Sequence, residues 1–232
     1  MFSALHPYNN KLISYTEYLK FALDHNFQKP NDAPGARCPV CERHLKVRAG
    51  KQKDDGHFYH NDEYYCPTKE ANKRSYGNLP ITKQNAEIRQ KNLNFAKENI
   101  GKIWERLKEI VPFFDFSEFL SILNEAKKLN IYEYTNLNPQ LLPYVYVTLI
   151  NYLPSKSYNK QRKLKFCFFY EARINTYEDL WINQGAFSRL VRISYKNGST
   201  QKVTIIETNT DYLSKEQVIL SEKQLEFLKK KV

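Results

Sequence analysis

The sequence has no apolar run close to the roughly 20 residues that a membrane-spanning helix requires. Its first residues, Met1 to Pro7, also lack the basic start and the apolar stretch of a secretory signal. With only 7 glycines and 10 prolines among 232 residues, the chain has little room for long flexible linkers. We therefore expect a soluble, cytoplasmic protein that has no membrane partner.

Cysteines are also few, and their number excludes one class of protein. Four cysteines cannot provide the disulfide framework of a small secreted domain in a chain of this length without a secretion signal. Three of them, Cys38, Cys41 and Cys66, lie close together in the sequence. Clustered thiols in a reduced protein indicate a metal site.

The usual signatures of catalysis are missing. No histidine follows His60, so Cys167 has no base nearby in the sequence to activate it. The alternation of Cys167 with aromatic residues favours a buried structural thiol. A glycine-rich phosphate loop is absent as well. The sequence therefore favours a protein that is not an enzyme.

The sequence does contain an excess of positive charge, and it has enough hydrophobic residues to form a folded core. Hydrophobic residues make up 41% of the sequence and the formal net charge is +11. Acid-poor stretches lie at residues 37–53, 156–165 and 189–202. Such patches attract polyanions, and nucleic acid is the usual one. We predict a nucleic-acid partner, and a solvated basic surface without a partner is the plainer alternative.

The order of the sequence patterns predicts an α+β protein in three parts. Residues 1–75 are predicted to contain an N-terminal helix and a small zinc-binding β-hairpin module. Residues 76–155 form a helical region in this prediction. Residues 156–232 form a C-terminal antiparallel sheet with a terminal helix.

Local signals predict where individual elements begin. Capping-box spacing predicts helix starts at Ser14 and Ser221. Periodic apolar residues predict one long amphipathic helix from Ile88 to Ile110, and Ser117 is a candidate cap for the next helix. In the last third, apolar and polar residues alternate as in strands, and Asn197-Gly198 is a strong hairpin signal.

The spacing of Cys38-Pro39-Val40-Cys41 is that of a zinc knuckle, in which two thiolates bind one tetrahedral ion. A predicted strand at residues 44–49, a turn at 50–56 and a returning strand at 57–60 lead the chain to Cys66. Side chains alternate along a strand, so His57 and His60 point to opposite faces and one ion takes only one of them. We choose His60, which is closer to Cys66, and keep His57 as a reserve ligand.

The predicted cofactor is therefore one Zn²⁺, bound by Cys38, Cys41, His60 and Cys66. Four protein ligands close the coordination sphere, which is typical of a structural site. If only three of them bind, a metal-activated water remains an alternative.

The segment from Cys38 to Pro67 resembles the N-terminal hairpin of bacterial competence CoiA-like proteins. The resemblance rests on the CPVC knuckle, the short basic strand Leu45–Gly50, the HFYH strand that begins at His57 and the Cys66-Pro67 pair. It implies a bacterial or phage origin and a nucleic-acid context. It also implies a downstream nuclease core, in which an Asp and a Glu-x-Lys pair hold Mg²⁺.

The rest of the chain departs from that implication. The nearest match to the Glu-x-Lys pair is Glu171-Ala172-Arg173, in which an arginine replaces the lysine. Arginine stays protonated and is a wider donor fork, so it cannot act as the lysine does. Glu207-Thr208-Asn209 also ends a predicted strand but lacks a base, and Asp179 and Asp211 are loop carboxylates without obvious partners in the sequence. The nuclease motif is not found.

We interpret the chain as a zinc-containing, basic, non-catalytic protein that binds nucleic acid. One alternative is a divergent metal-dependent nuclease that uses Glu171 and neighbouring carboxylates. Another is a protein-interaction adaptor whose basic surface meets an acidic partner protein.

The predicted nucleic-acid contacts lie mainly on the C-terminal sheet. Arg192, Ser194 and Lys196 alternate with apolar residues, and Lys163 and Lys165 alternate in the same way on the preceding strand. If the two strands pair, we expect both rows to face solvent and form one positive surface. The predicted contacts are Lys163, Lys165, Arg192, Lys196, Arg189 and Arg48.

Overall fold

A computed structural model describes residues 1–50, 56–64, 66, 68–69, 85–135, 137–154, 162–171, 189–196, 199–216 and 218–232, with the backbone alone described at 170, 171, 189 and 199. The strands in these ranges are β1 (Ser3–Leu5), β2 (Leu12–Ser14), β3 (Lys46–Arg48), β4 (His57–Tyr59), β5 (Lys165–Glu171), β6 (Arg189–Lys196) and β7 (Ser199–Ile206). The helices in the same ranges are α1 (Tyr15–Asp24), α2 (Ala86–Glu98), α3 (Ile100–Ile110), α4 (Phe116–Lys128), α5 (Leu142–Tyr146) and α6 (Glu222–Lys231).

The described strands form three antiparallel sheets. They are the pair β1–β2, the hairpin β3–β4 and the three-stranded sheet β5–β6–β7. The helices α2 to α5 lie between the hairpin and the large sheet in the sequence, and α6 ends the chain. This arrangement confirms the predicted α+β class.

The N-terminal helix begins where the sequence predicts. The Ser14 side chain accepts a hydrogen bond from the Glu17 backbone N–H, and the Glu17 carboxylate accepts one from the Ser14 backbone N–H. This capping box satisfies donors that the first turn of α1 would otherwise leave unpaired. On the buried side of α1, the Tyr18 ring meets the Phe58 ring of β4 edge-on, with 5.7 Å between centroids.

The hairpin β3–β4 approaches α1 closely. Val47 and Phe58 are cross-strand partners, and their side chains are 6% and 1% exposed. Just before β4, a Cβ atom at Gly56 would lie 2.2 Å from the Tyr15 ring. Glycine therefore permits the contact between the start of β4 and the helix. The inner face of the hairpin is thus part of the N-terminal core.

The predicted long helix is two helices. The chain leaves helical geometry at Asn99, which ends α2 and precedes α3. The prediction of one continuous helix was wrong because the apolar periodicity continues across the break. The next helix begins two residues earlier than predicted, because its cap is Asp115, which forms a capping box with Glu118, and not Ser117.

Aromatic rings form the centre of the helical region. The Trp104 ring packs against Phe114 and Phe119, with centroids 5.1 Å and 5.5 Å apart. The buried hydroxyls of Tyr132 and Tyr146 share a 2.6 Å hydrogen bond. These contacts give the helical region a large core of its own.

Both faces of the C-terminal sheet are covered. On one face Cys167, Val191 and Ile193 belong to the core that contains the N-terminal hairpin. On the other face Phe168 and Leu190 belong to the core of the helical region. The sheet therefore lies between two hydrophobic cores.

None of the described helices has the length and the apolar character needed to cross a bilayer. The boundaries of the three predicted parts, 1–75, 76–155 and 156–232, stay a prediction.

Candidate metal centre

The knuckle between Cys38 and Cys41 is a tight turn with its own hydrogen bonds. The Glu42 N–H donates to the Cys38 carbonyl, and the Cys38 N–H donates to the Arg43 carbonyl, both at 2.9 Å. The Val40 N–H points to the Cys38 sulfur at 3.4 Å. A backbone donor aimed at sulfur favours the thiolate form that binds metals.

The hairpin and the chain that follows it complete the cluster. His60 comes directly after β4, and Cys66 lies close to the knuckle, with its sulfur 3.7 Å from that of Cys38. The Cys41 sulfur is 3.9 Å from His60 Nε2. The four ligand atoms lie within 4.8 Å of one another. The residues predicted as ligands are therefore brought together.

These distances fit a shared metal ion such as zinc. Tetrahedral coordination with Zn–S bonds of about 2.3 Å separates two sulfurs by about 3.8 Å. The 3.7 Å between Cys38 and Cys66 matches that separation and is far too long for a disulfide, whose S–S bond is about 2.05 Å. The cysteines are free thiols.

The orientation of His60 provides a second test of the fit. Its side chain is 3% exposed, and Nε2 faces the sulfurs. Its other nitrogen, Nδ1, is buried without a hydrogen-bond partner and lies 3.7 Å from the Asp62 carboxylate. Metal-ligating histidines commonly direct their second nitrogen to a carboxylate, which fixes the ring and its tautomer.

Thr68 and Arg43 are further residues at the cluster that sequence reasoning missed. The Thr68 hydroxyl lies 3.1 Å from both the Cys66 sulfur and His60 Nε2, so it covers one side of the site. Arg43 Nε donates to the Cys41 sulfur at 3.3 Å, which places a positive charge beside the thiols. Each of them lies two residues after a cysteine, and this spacing is the sequence signal that could have placed them at the cluster.

The pKa values of the cluster residues are shifted because these groups are buried close to one another. Burial and the neighbouring thiols raise the pKa of Cys38 well above its ordinary value, whereas hydrogen bonds from Cys38 and Cys66 lower the pKa of Cys41. Burial alone would lower the pKa of His60, but the Cys41 and Cys66 sulfurs outweigh it and raise that pKa to about 9. A divalent cation that replaces the shared protons would remove this conflict.

His57, the reserve ligand, is not part of the cluster. It is paired with Arg48 across the hairpin, and its ring lies 6.4 Å from the ring of Tyr59. The buried Phe58 lies between these two residues in the strand, so His57 and Tyr59 share the opposite, outer face. Strand alternation correctly separated His57 from His60.

The expected positive surface on the C-terminal sheet is not formed as predicted. The strands do pair, but Lys165 is opposite Tyr195, whereas Arg192 is opposite Phe168. Directly opposed residues share a face, so Lys165 and Arg192 are on opposite faces of the sheet. The expectation of one common surface was wrong.

Two residues of that row are also not solvent-facing. Ser194 is 5% exposed. Arg192 is half-buried, donates to the Ile110 carbonyl at 2.8 Å and lies over the Phe166 ring. Burial lowers the pKa of Arg192 from its ordinary value. The helical region covers this face, which the alternating pattern could not show.

Other predicted contacts remain exposed. Lys163 and Lys196 lie at the end of the sheet where β5 begins and β6 ends, and both are exposed. Lys165 is half-buried, and Arg48 is exposed on β3. The side chain of Arg189 lies outside the description.

Arg162, from the second acid-poor stretch, is an internal residue. It is 5% exposed and forms an ion pair with Glu118. It also donates to the Leu153 carbonyl at 2.7 Å. This guanidinium therefore ties the start of the C-terminal part to α4 and does not extend the basic surface. The lysines that precede it lie outside the described residues.

The described residues contain one group of three or more possible metal ligands, the Cys/His cluster. Glu171 ends β5, but its side chain and the residues Ala172, Arg173 and Asp179 lie outside the description. Cys167 is buried, donates to Asn151 Oδ1 at 2.9 Å, and burial raises its pKa to about 11. An unreactive structural thiol fits these observations.

Comparison of the chain with protein-family models, with curated proteins and with solved structures gives no match.

Proposed function

We propose that this chain is a zinc-containing protein that binds nucleic acid through exposed cations and uses its metal for structure, not catalysis. The observation that carries the proposal is the Cys38, Cys41, His60 and Cys66 cluster, whose ligand atoms lie within 4.8 Å of one another. Thiolate and imidazole ligands suit zinc, whereas calcium and magnesium take oxygen ligands.

A structural role is supported by how completely the protein surrounds the cluster. Cys38 and Cys66 are fully buried, and the Thr68 hydroxyl covers a further side. Catalytic zinc usually keeps one position for water, with three protein ligands. Four protein ligands with this cover leave no such position. The metal would then hold the knuckle, the hairpin and Cys66 together.

Nucleic-acid binding is supported by charge. The net charge is +11, and Lys46, Arg48, Lys163 and Lys196 are exposed. Exposed cations of this kind neutralise phosphates and release counterions. The reduced cysteines fit the cytoplasm, and the resemblance of the hairpin to CoiA-like proteins supports a bacterial or phage origin.

The test of the metal is elemental analysis of the purified full chain. We expect one zinc per chain in the wild type and none in Cys38→Ser/Cys41→Ser. His60→Ala should lower the zinc content, whereas His57→Ala should retain it. Purified wild-type protein without zinc would contradict the proposal.

The test of binding is a salt titration with labelled oligonucleotides. Affinity should fall with salt, each neutralised phosphate adding about 0.9 to the slope of log K against log salt for duplex DNA. A wild-type chain that binds neither DNA nor RNA at low salt, yet captures acidic proteins, would favour the adaptor. Mg²⁺-dependent cleavage of the oligonucleotide would favour the nuclease.

A further inference from the structure

The outer face of the hairpin β3–β4 combines two cations with two aromatic rings. Lys46 is opposite Tyr59, and Arg48 is opposite His57, so the four side chains share one face. Lys46 and Arg48 are exposed, and the two rings are half-buried. The Arg48 guanidinium lies 5.2 Å from the centroid of the Tyr59 ring. We call these four side chains the hairpin face.

The backbone that carries this face is well supported. On the β4 edge, the Phe58 N–H donates to the Met1 carbonyl at 2.8 Å. On the β3 edge, the Asn31 side chain both accepts from the Val47 N–H at 2.9 Å and donates to the Val47 carbonyl at 3.0 Å. Both hairpin edges are therefore paired, and the inner face is buried. A ligand would meet a preformed surface.

The metal cluster adds to this support. His60, one of the four cluster residues, directly follows Tyr59. A bond from His60 to a metal ion would hold the end of β4 in place. It would therefore also hold the Tyr59 ring, which lies beside Arg48. The cations on the face have no carboxylate partner within the described residues. Lys46 Nζ donates to the Asn31 carbonyl at 3.2 Å, and this neutral acceptor leaves the charge uncompensated and available to a polyanion.

We infer that the hairpin face is the site at which this protein binds single-stranded nucleic acid, with an unpaired base stacked on Tyr59 and its phosphates near Lys46 and Arg48. This inference rests on the proposed function and narrows it to one surface and one form of ligand. Flat rings beside cations are the combination that single-strand binders use, because every base has a stacking surface. A duplex offers its phosphates to the cations but hides its base faces.

The experiment measures fluorescence anisotropy of a labelled mixed-sequence single strand and of the same strand in a duplex, with the full, zinc-loaded chain. Tyr59→Leu removes the aromatic ring and keeps an apolar side chain. We expect it to weaken single-strand binding about tenfold and to leave duplex binding unchanged. The salt slope should stay the same, because no charge is lost.

The matched control is Tyr64→Leu. Tyr64 is 75% exposed and lies under Arg43 at 5.6 Å, so it is a second tyrosine–arginine pair near the cluster but is not on the hairpin face. This variant should bind both ligands as the wild type does. Equal losses in the two variants would overturn the inference, because exposed tyrosines in general would then account for the binding.

Charge reversal gives an independent readout. Arg48→Glu should weaken single-strand binding more than Lys196→Glu, which changes the charge equally at an exposed position away from the face. If Tyr59→Leu loses its zinc, Arg48→Glu is the variant that tests the hairpin face. If Tyr59→Leu and Arg48→Glu both bind single strands as tightly as the wild type does, the inference is wrong while the proposed function stands. If the wild type binds no nucleic acid, both are wrong.

Discussion

The Cys/His module, by which we mean the described residues between 1 and 69, differs from the helical region in what holds it together. The strands β3 and β4 have three residues each, and a two-stranded hairpin of that size is marginal in water. The helices α3 and α4 have 11 and 13 residues and bury a large aromatic core. We therefore expect the short strands to depend on the proposed metal in addition to their packing, whereas the long amphipathic helices are stabilised by packing.

The largest expected effect follows from the proposed zinc site, because removal of its metal should destabilise the Cys/His module and leave the helical region folded. A chelator should expose the amides of β3 and β4 to hydrogen exchange and leave those of α3 protected. Structural zinc contributes apparent binding free energies of about 10–16 kcal/mol in small zinc-finger peptides, so its loss should unfold the hairpin. Hydrogen exchange followed by mass spectrometry measures both segments at once.

The matched control for metal removal is Cys167→Ala, which deletes the buried cysteine outside the cluster. This variant should keep its zinc and the protection of β3 and β4. A hairpin that stays protected after complete zinc loss would show that packing alone supports it, and the contrast between the two regions would disappear.

The converse change tests the helical region. Phe119→Ala removes a fully buried ring that packs against Trp104, and we expect a loss of about 3–5 kcal/mol in the free energy of unfolding. The zinc content should not change, because the cluster lies in the other core. Urea unfolding with parallel metal analysis checks this. Loss of zinc from folded Phe119→Ala protein would mean that the cores are not separable.

Thiol reactivity should sharpen the comparison between the two kinds of cysteine. Chelation should unfold the hairpin and expose the three cluster thiols, so at pH 8 Ellman's reagent should then react rapidly with them. It should react at least about a hundredfold more slowly with Cys167, whose pKa burial raises to about 11. A thiol with a raised pKa stays protonated below that value, so the Cys167 rate should keep rising with pH after an ordinary thiol levels off. Four equally fast thiols would contradict this.

The smallest expected effect concerns the knuckle backbone. Glu42 has a left-handed backbone, with φ 55°, which favours glycine. Glu42→Gly should raise the free energy of unfolding by up to about 1 kcal/mol, offset in part by loss of the exposed ion pair with Arg37. Asn130→Gly is the matched control in the helical region, since asparagine already tolerates φ 51°. A clear loss of stability in Glu42→Gly would contradict the expectation.

Helix starts show how far local sequence signals extend. Ser14 and Ser221 cap α1 and α6 as predicted, because a capping box needs only residues three positions apart. The start of α4 was placed at Ser117, although Asp115 and Glu118 have the same spacing. The break at Asn99 had no such signal, because apolar residues recur on both sides of it.

The sheet shows where sequence patterns fail. Alternation correctly identified Val191, Ile193 and Tyr195 as one buried row. It also predicted a solvent-exposed row through Arg192, which the helical region covers. A long arginine side chain can lie over an aromatic ring and hydrogen-bond a distant carbonyl, so its polarity does not guarantee exposure.

The sequence by itself determined the ligands of the candidate metal centre, because the spacing of the knuckle and the alternation of the returning strand are local geometry. It also determined the α+β class, since helical and strand periods occupy separate parts of the chain. Only the tertiary structure decided which cations face solvent and which residues support His60. Burial of a side chain depends on what packs against it, and those neighbours come from distant parts of the sequence.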